Sequence, residues 1–328
     1  MTVYLLAEKV WCIHMKTIMS YCYYPEQALT NTEMGHLIQY LGLQGIEQLI
    51  YKTESNDRSF ADQTVGVHLK YWPYWMDFLL GKKKTLEEQF PQKEELDMYY
   101  GGCTIDAWEK SIRENIRTAL KENPEYVVWH VANSSNREAC SFQFNYTDRQ
   151  VLREAAAVFN DTSDAVPKNV KVLFENLWWP GLRLLDPYDT AYFFSLIHRD
   201  NVGIMLDTGH LMNTDNTVGS ESDGADLVKS VLRRMGSLAG LIRGIHLSCS
   251  LSADYRNQCR HSPISLSNMT ELIHHITKID QHRPFRTSAA GIIIDAVHPD
   301  YVVHELTGKN LSDTAELVEI QMRAGQLR

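Results

Sequence analysis

Residues 202–211, VGIMLDTGHL, run through an unbroken apolar stretch into an acid, Asp207, and then reach a histidine, His210. An unbroken run, rather than one alternating with polar residues, belongs to a strand covered on both faces. Such a strand has no structural reason to end in a carboxylate, since burying an unpaired charge costs several kcal/mol or more. The same pattern recurs on either side. VKVLFENL (170–177) leads to Glu175, IRGIHLS (242–248) to His246 and PDYVVHEL (299–306) to Glu305, while GIEQLIY (45–51), VGVHLK (65–70) and YVVWHVA (126–132) carry Glu47, His68 and His130.

Together with Val10–Met19 these make eight runs: Gly45–Tyr51, Val65–Lys70, Tyr126–Ala132, Val170–Leu177, Val202–Gly209, Ile242–Ser248 and Tyr301–Leu306. Amphipathic stretches near 32–42, 105–121, 147–159, 187–199, 222–238, 264–281 and 311–325 predict helices around them. Alternating strands and helices make a parallel α/β sheet. No strand is followed by a glycine-rich phosphate turn, so the eight read as a single (β/α)8 TIM barrel over residues 1–328 instead of a doubly wound sheet. The longest irregular stretch, 71–104, follows the third strand and is expected to be an extended βα loop at the catalytic face, able to act as a lid. Its Lys82-Lys83-Lys84 run, followed by Glu87, Glu88, Glu94 and Glu95, reads as solvated surface.

With 44% hydrophobic and 22% charged residues, the chain has the composition of an ordinary globular protein. Lys+Arg 32 against Asp+Glu 41 leaves a net charge of −9, a field that repels phosphate backbones and argues against nucleic acid as a partner. The six cysteines form no C-x-x-C pair, so they read as reduced thiols instead of a zinc knuckle or disulfide framework. Glu8, Lys9, His14 and Lys16 interrupt the apolar N-terminal stretch, and no basic segment with a cleavage site precedes it. Neither a membrane span nor a leader is expected, and the cytoplasm is the expected compartment.

In a barrel the C-terminal strand ends converge on one mouth. There Glu175, Asp207, His246 and Glu305 would form a hard donor set for one divalent ion, Mn²⁺, Mg²⁺, Co²⁺ or Zn²⁺. His210 falls in the following loop, within reach of a substrate. Trp72, with Tyr74 and Trp75, and the Trp178-Trp179 pair offer flat apolar area for a sugar ring whose hydroxyls the carboxylates would take. Trp129, inside a strand, reads as core, and His274-His275 as a surface pair on a helix. Asp207-Thr208-Gly209 matches an aspartic-protease triplet, but it has no second copy and lies among βα units; a nucleophile elbow and H-E-x-x-H are absent.

VLFENL, VGIMLDTGHL, IRGIHLS and PDYVVHEL, supported by GIEQLIY, VGVHLK and VVWHVA, resemble the xylose isomerase-like TIM barrels. That family includes sugar epimerases, hydroxypyruvate isomerases, inosose dehydratases and endonuclease-IV-type apurinic nucleases. The resemblance implies Glu175, Asp207, His246 and Glu305 as shared metal ligands and His210 as a substrate contact. In the nuclease branch it implies a further ion on His68 and His130, bridged by Glu175, and another on His210 with an Asp-x-His pair after the seventh strand. The sequence offers Asp254 and His261 there, at a different spacing. The 71–104 stretch and LWWPGL after Glu175 match no branch.

The expected activity is that of a divalent-metal-dependent isomerase or epimerase of a sugar, polyol or related α-hydroxycarbonyl compound, acting through an enediolate. Glu175 and Glu305 would exchange the carbon-bound proton and His210 would orient a hydroxyl. Glu47, His68, His130, Trp72, Trp178 and Trp179 would line the substrate pocket. A lyase or dehydratase using the same site, a multi-metal phosphodiesterase and a non-catalytic sugar-binding subunit are the alternatives. Pairing into a homo-oligomer is open.

Overall fold

The computed structural model describes residues 15–24, 29–51, 59–261 and 268–327. Its strands are β1 (Lys16–Cys22), β2 (Ile46–Ile50), β3 (Thr64–Leu69), β4 (Tyr126–His130), β5 (Lys171–Glu175), β6 (Val202–Asp207), β7 (Ile242–Leu247) and β8 (Tyr301–His304). Each pairs in parallel with the next, and β8 closes on β1 through Lys16 opposite Tyr301 and Met19 opposite His304, giving a closed eight-stranded barrel. Several expected runs stop as strands at their polar residue, β4 at His130, β5 at Glu175 and β6 at Asp207. The first strand lies later than its apolar run predicts: β1 ends at Cys22 rather than Met19, and residues 10–14 lie outside the described residues.

The helices are α1 (Asn31–Leu41), α2 (Met76–Leu79), α3 (Lys83–Gln89), α4 (Lys93–Tyr100), α5 (Ile105–Leu120), α6 (Asn136–Ser141), α7 (Asp148–Thr162), α8 (Pro187–Leu196), α9 (Thr208–Met212), α10 (Glu221–Met235), α11 (Ala253–His261), α12 (Met269–Ile279), α13 (Ala289–Val297) and α14 (Leu311–Gly325). Local sequence sets several of their starts. Thr30 with Glu33, Ser135 with Glu138 and Thr147 with Gln150 close reciprocal capping boxes that satisfy the first free N–H groups of α1, α6 and α7.

The strands are largely apolar because most of both faces is covered. Inward side chains, among them Ile18, Val128, Leu173, Met205 and Val303, fill the barrel. Outward ones such as Val127, Phe174, Leu206 and Ile245 pack on the helix layer through Ile116 of α5 and Phe159 of α7.

Two segments depart from expectation. Residues 71–104 do form a long connection between β3 and α5, but it is not irregular: it holds α2, α3 and α4, and Trp72, Trp75, Phe78 and Tyr100 are buried against Trp108 of α5. Asn133 Oδ1 accepts from the backbone N–H of Trp75 and Met76, so the segment is tied to the β4 loop, where a lid would have to swing free. His275 is no surface residue: its Nδ1 accepts from the Tyr255 hydroxyl and its Nε2 donates to Ala139 O, in a site where burial lowers its pKa. Its neighbour His274 is exposed. Among the described residues all five cysteines are free and no helix is long and apolar enough to cross a membrane.

Candidate metal centre

At the mouth the structure brings together Glu175 at the end of β5, Asp207 at the end of β6, His246 on β7 and Glu305 just past β8, with one ligand atom from each within 4.8 Å of the others. Asp207 divides its labour. Oδ1 caps α9 by accepting from His210 N at 2.5 Å, while Oδ2 is buried with no hydrogen-bond partner. Asn176 fixes the height of that strand end by accepting from Asp207 N at 2.8 Å and donating to Asp207 O at 3.0 Å.

Two further groups share this centre. His68 and His130 each place Nε2 3.0 Å from Glu175 Oε2. His210 and His282 place Nε2 3.2 and 2.8 Å from Asp280 Oδ2. His68, His210 and His282 are oriented alike: Nδ1 donates to a backbone carbonyl, of Leu69, Asn176 and Glu305 respectively, which leaves Nε2 facing a carboxylate. A backbone anchor on one nitrogen with the other presented is how metal-ligating histidines are held.

The carboxylates and imidazoles at the mouth shift one another's protonation. Burial pushes the Asp207 carboxyl up to about 8, with Glu305 and Glu175 adding to it against the opposing pull of His210. Burial opposes charge on His246 and His210, yet the surrounding carboxylates push both imidazoles well above the usual value. His282 is pushed up to about 10 the same way, mainly by Asp280. Burial also opposes the Glu175 charge, but His130 and His246 hold its carboxyl well below its ordinary value.

The donor set fits divalent ions. Glu175 Oε1 and Glu305 Oε2 lie 3.2 and 3.0 Å from His246 Nδ1, but neither contact points along a hydrogen-bond axis, and all three atoms are buried without a hydrogen-bond partner. Asp280 Oδ1 is orphaned too. Buried polar atoms left unpaired cost free energy, and atoms aimed past one another toward shared points are what a cation satisfies. Oxygen and imidazole donors suit Zn²⁺, Mn²⁺ or Co²⁺.

The structure places the other expected residues as follows. Trp178 and Trp179 flank the mouth, Trp178 with its ring 5.1 Å from His210. Trp72 does not: it points outward onto Trp108, and Tyr71 takes the mouth position with its ring 4.4 Å from His130. Glu47 lies under the centre, 1% exposed and 2.9 Å from His246 Nε2, where no substrate reaches it. Asp254 and His261 stand on α11, outside the clusters; the Asp-x-His pair is Asp280-Gln281-His282. The sequence conceals it because α11 and α12 intervene between β7 and the pair, and its only signal is the triplet itself.

A family profile described as xylose isomerase-like TIM barrel matches residues 97–285. Among solved structures the chain is similar to endonuclease IV from Thermus thermophilus, with TM-score 0.51 and 12% identity over 95% of this chain and 100% of that one. It is also similar to an L-ribulose 3-epimerase, with TM-score 0.51 and 12% identity over 94% and 93% of the two chains. At such identities these likenesses speak for the fold. No curated protein matches the sequence.

Proposed function

Because the chain belongs to the xylose isomerase-like TIM barrel family, we propose that it is a phosphodiester hydrolase that works with three divalent ions. The observation that carries this reading is the third donor group, His210, Asp280 and His282, standing beside the Glu175 groups. A single-ion isomerase holds its ion on Glu175, Asp207, His246 and Glu305 and can use His68, His130 and His210 as substrate contacts, but it leaves the Asp280 and His282 pair without a role. Ions held there supply Lewis-acid charge to phosphate oxygens and lower the pKa of a water nucleophile.

The chain's own residues supply position. Glu175 bridges two donor groups, with His68 and His130 on Oε2 and His210 and His246 on Oε1. Its complete burial keeps bulk water from competing for those oxygens. Glu305 and His282, about one fifth exposed, form the wetter side from which a substrate approaches. Tyr71 and the Trp178-Trp179 pair wall the mouth with rings beside His130 and His210. With a net charge of −9, a phosphodiester is engaged through the ions rather than through a basic surface.

A second reading keeps the isomerase chemistry: the four-ligand group is complete by itself and both of its glutamates face His246 Nδ1, an arrangement that supports proton exchange on a keto sugar through Glu175 and Glu305. Ion content per chain, measured by plasma mass spectrometry on protein purified without chelator, separates the two. The hydrolase reading expects about three ions, one fewer in Asp280→Asn, and nicking of a duplex carrying an abasic site. About one ion, unchanged in Asp280→Asn, together with deuterium incorporation into keto sugars, overturns it in favour of the isomerase.

A further inference from the structure

Beneath the mouth a buried column runs across three strands. Glu47 of β2 is in register with Gly66 of β3, and Gly66 with Tyr126 of β4. A Cβ on Gly66 would stand 2.1 Å from Tyr126 Cζ, so only glycine leaves the tyrosine ring room to cross β3. The crossing brings the Tyr126 hydroxyl to Glu47 Oε2, to which it donates at 2.7 Å. The other oxygen, Oε1, lies 2.9 Å from His246 Nε2 as a charged contact that does not lie along the ring's N–H direction. Tyr126, Glu47 and His246 are all essentially inaccessible, so no water can stand in for any of them.

We infer that Glu47, oriented by Tyr126, is the positioning residue that directs His246 Nδ1 at the ion shared with Glu175, Asp207 and Glu305. An imidazole offers two nitrogens and can present either by turning over, so a ligand histidine needs its second nitrogen claimed. Here the claim comes from a carboxylate on the far side of the ring from the donor group. A carboxylate behind the ring also raises the basicity of the ligating nitrogen. A neutral replacement of the same shape keeps the packing and loses that charge. Glu47 touches neither substrate nor ion; its effect passes through His246. The inference rests on the ion-holding part of the proposed function and is independent of the substrate.

The test uses the full chain with Zn²⁺ as the probe. Affinity is read by chelator competition, and the ligating nitrogen of His246 by ¹⁵N chemical shifts of the zinc-loaded protein. Glu47→Gln is expected to weaken one ion by about 10–100-fold, to leave the Asp280 ion unchanged and to give His246 a mixture of Nδ1 and Nε2 ligation. Tyr126→Phe, which frees Glu47 from its donor, is expected to weaken the same ion by a smaller factor. A folded Glu47→Gln protein with wild-type affinity and Nδ1 ligation alone overturns the inference and leaves the proposed function standing. If Glu47→Gln does not fold, Tyr126→Phe decides by the same two readouts. A wild type that binds no ion overturns both.

Discussion

Asp207 shows how one residue can serve fold and site together: one oxygen caps α9 and the other is left over for a cation. Neighbouring carboxylates favour the protonated forms of His210, His246 and His282, and an ion can bind there only after displacing those protons. Ion affinity is therefore expected to rise with pH through the range up to about 8 to 10 where Asp207 and His282 titrate. Calorimetric titration with Zn²⁺ in two buffers of different ionisation enthalpy reads the released protons, and equal heats in both would refute the protonated state. His304 behaves in the opposite sense. Burial pushes it down to about 3 in the fold, against its ordinary value of 6.5. Between those values the unfolded chain binds a proton that the native protein refuses, so this contribution is present above pH 6.5 and is lost as pH falls. From about pH 7 to about pH 5 wild type is expected to lose about 2 kcal/mol more stability than His304→Gln, measured as urea unfolding at each pH. The acids and His246 at the strand ends were legible because charge is out of place in a doubly covered strand. The depth of Glu47 was not: as the second residue of β2 it lies lower in the barrel than His246, the fifth of β7, and only the stagger between strands reveals that.

At the scale of elements, β3 works through what it lacks. Gly66→Ala would drive a methyl group into the Tyr126 ring, and overpacking of this kind costs roughly 1–3 kcal/mol. Denaturant unfolding should show that loss, and chelator competition a weaker ion in the same protein; an unperturbed Gly66→Ala protein would mean that the ring has another place to go. Strand alternation carried on from His68 would turn Trp72 to the mouth, but β3 ends at Leu69, so alternation no longer applies and Tyr71 takes that place. Hydrophobic periodicity found the longer helices but missed α2, α3, α4, α6, α9, α11 and α13, whose four to nine residues are too short to show a clear helical repeat. The Asp280-Gln281-His282 triplet was hidden for a different reason: α11 and α12 lie between it and β7, far from the strand end where a ligand is sought.

At the scale of the molecule, the centre exists only when the barrel is closed. Its ligands come from strand ends and loops between His68 and Glu305, and the unfolded chain has no such site. Ions that bind only the folded state stabilise it, by about 2.7 kcal/mol for each one present at a hundredfold excess over its dissociation constant. Calorimetric melting should show a clear drop in Tm on adding chelator, with a smaller drop in Asp280→Asn. A chelator-insensitive Tm would contradict occupancy of the centre.

What the sequence determined alone was the architecture and the meeting of Glu175, Asp207, His246 and Glu305 at one mouth. Unbroken apolar runs can be satisfied only by strands covered on both faces, and charges at their ends can be tolerated only where those ends meet. What tertiary structure decided was which side chains share a point in space: that Asp280 and His282 join His210, that Tyr71 faces the mouth in place of Trp72, and that Glu47 supports the centre from below. These are matters of strand stagger and loop path, and both are set by closure of the barrel as a whole rather than by the local run of residues.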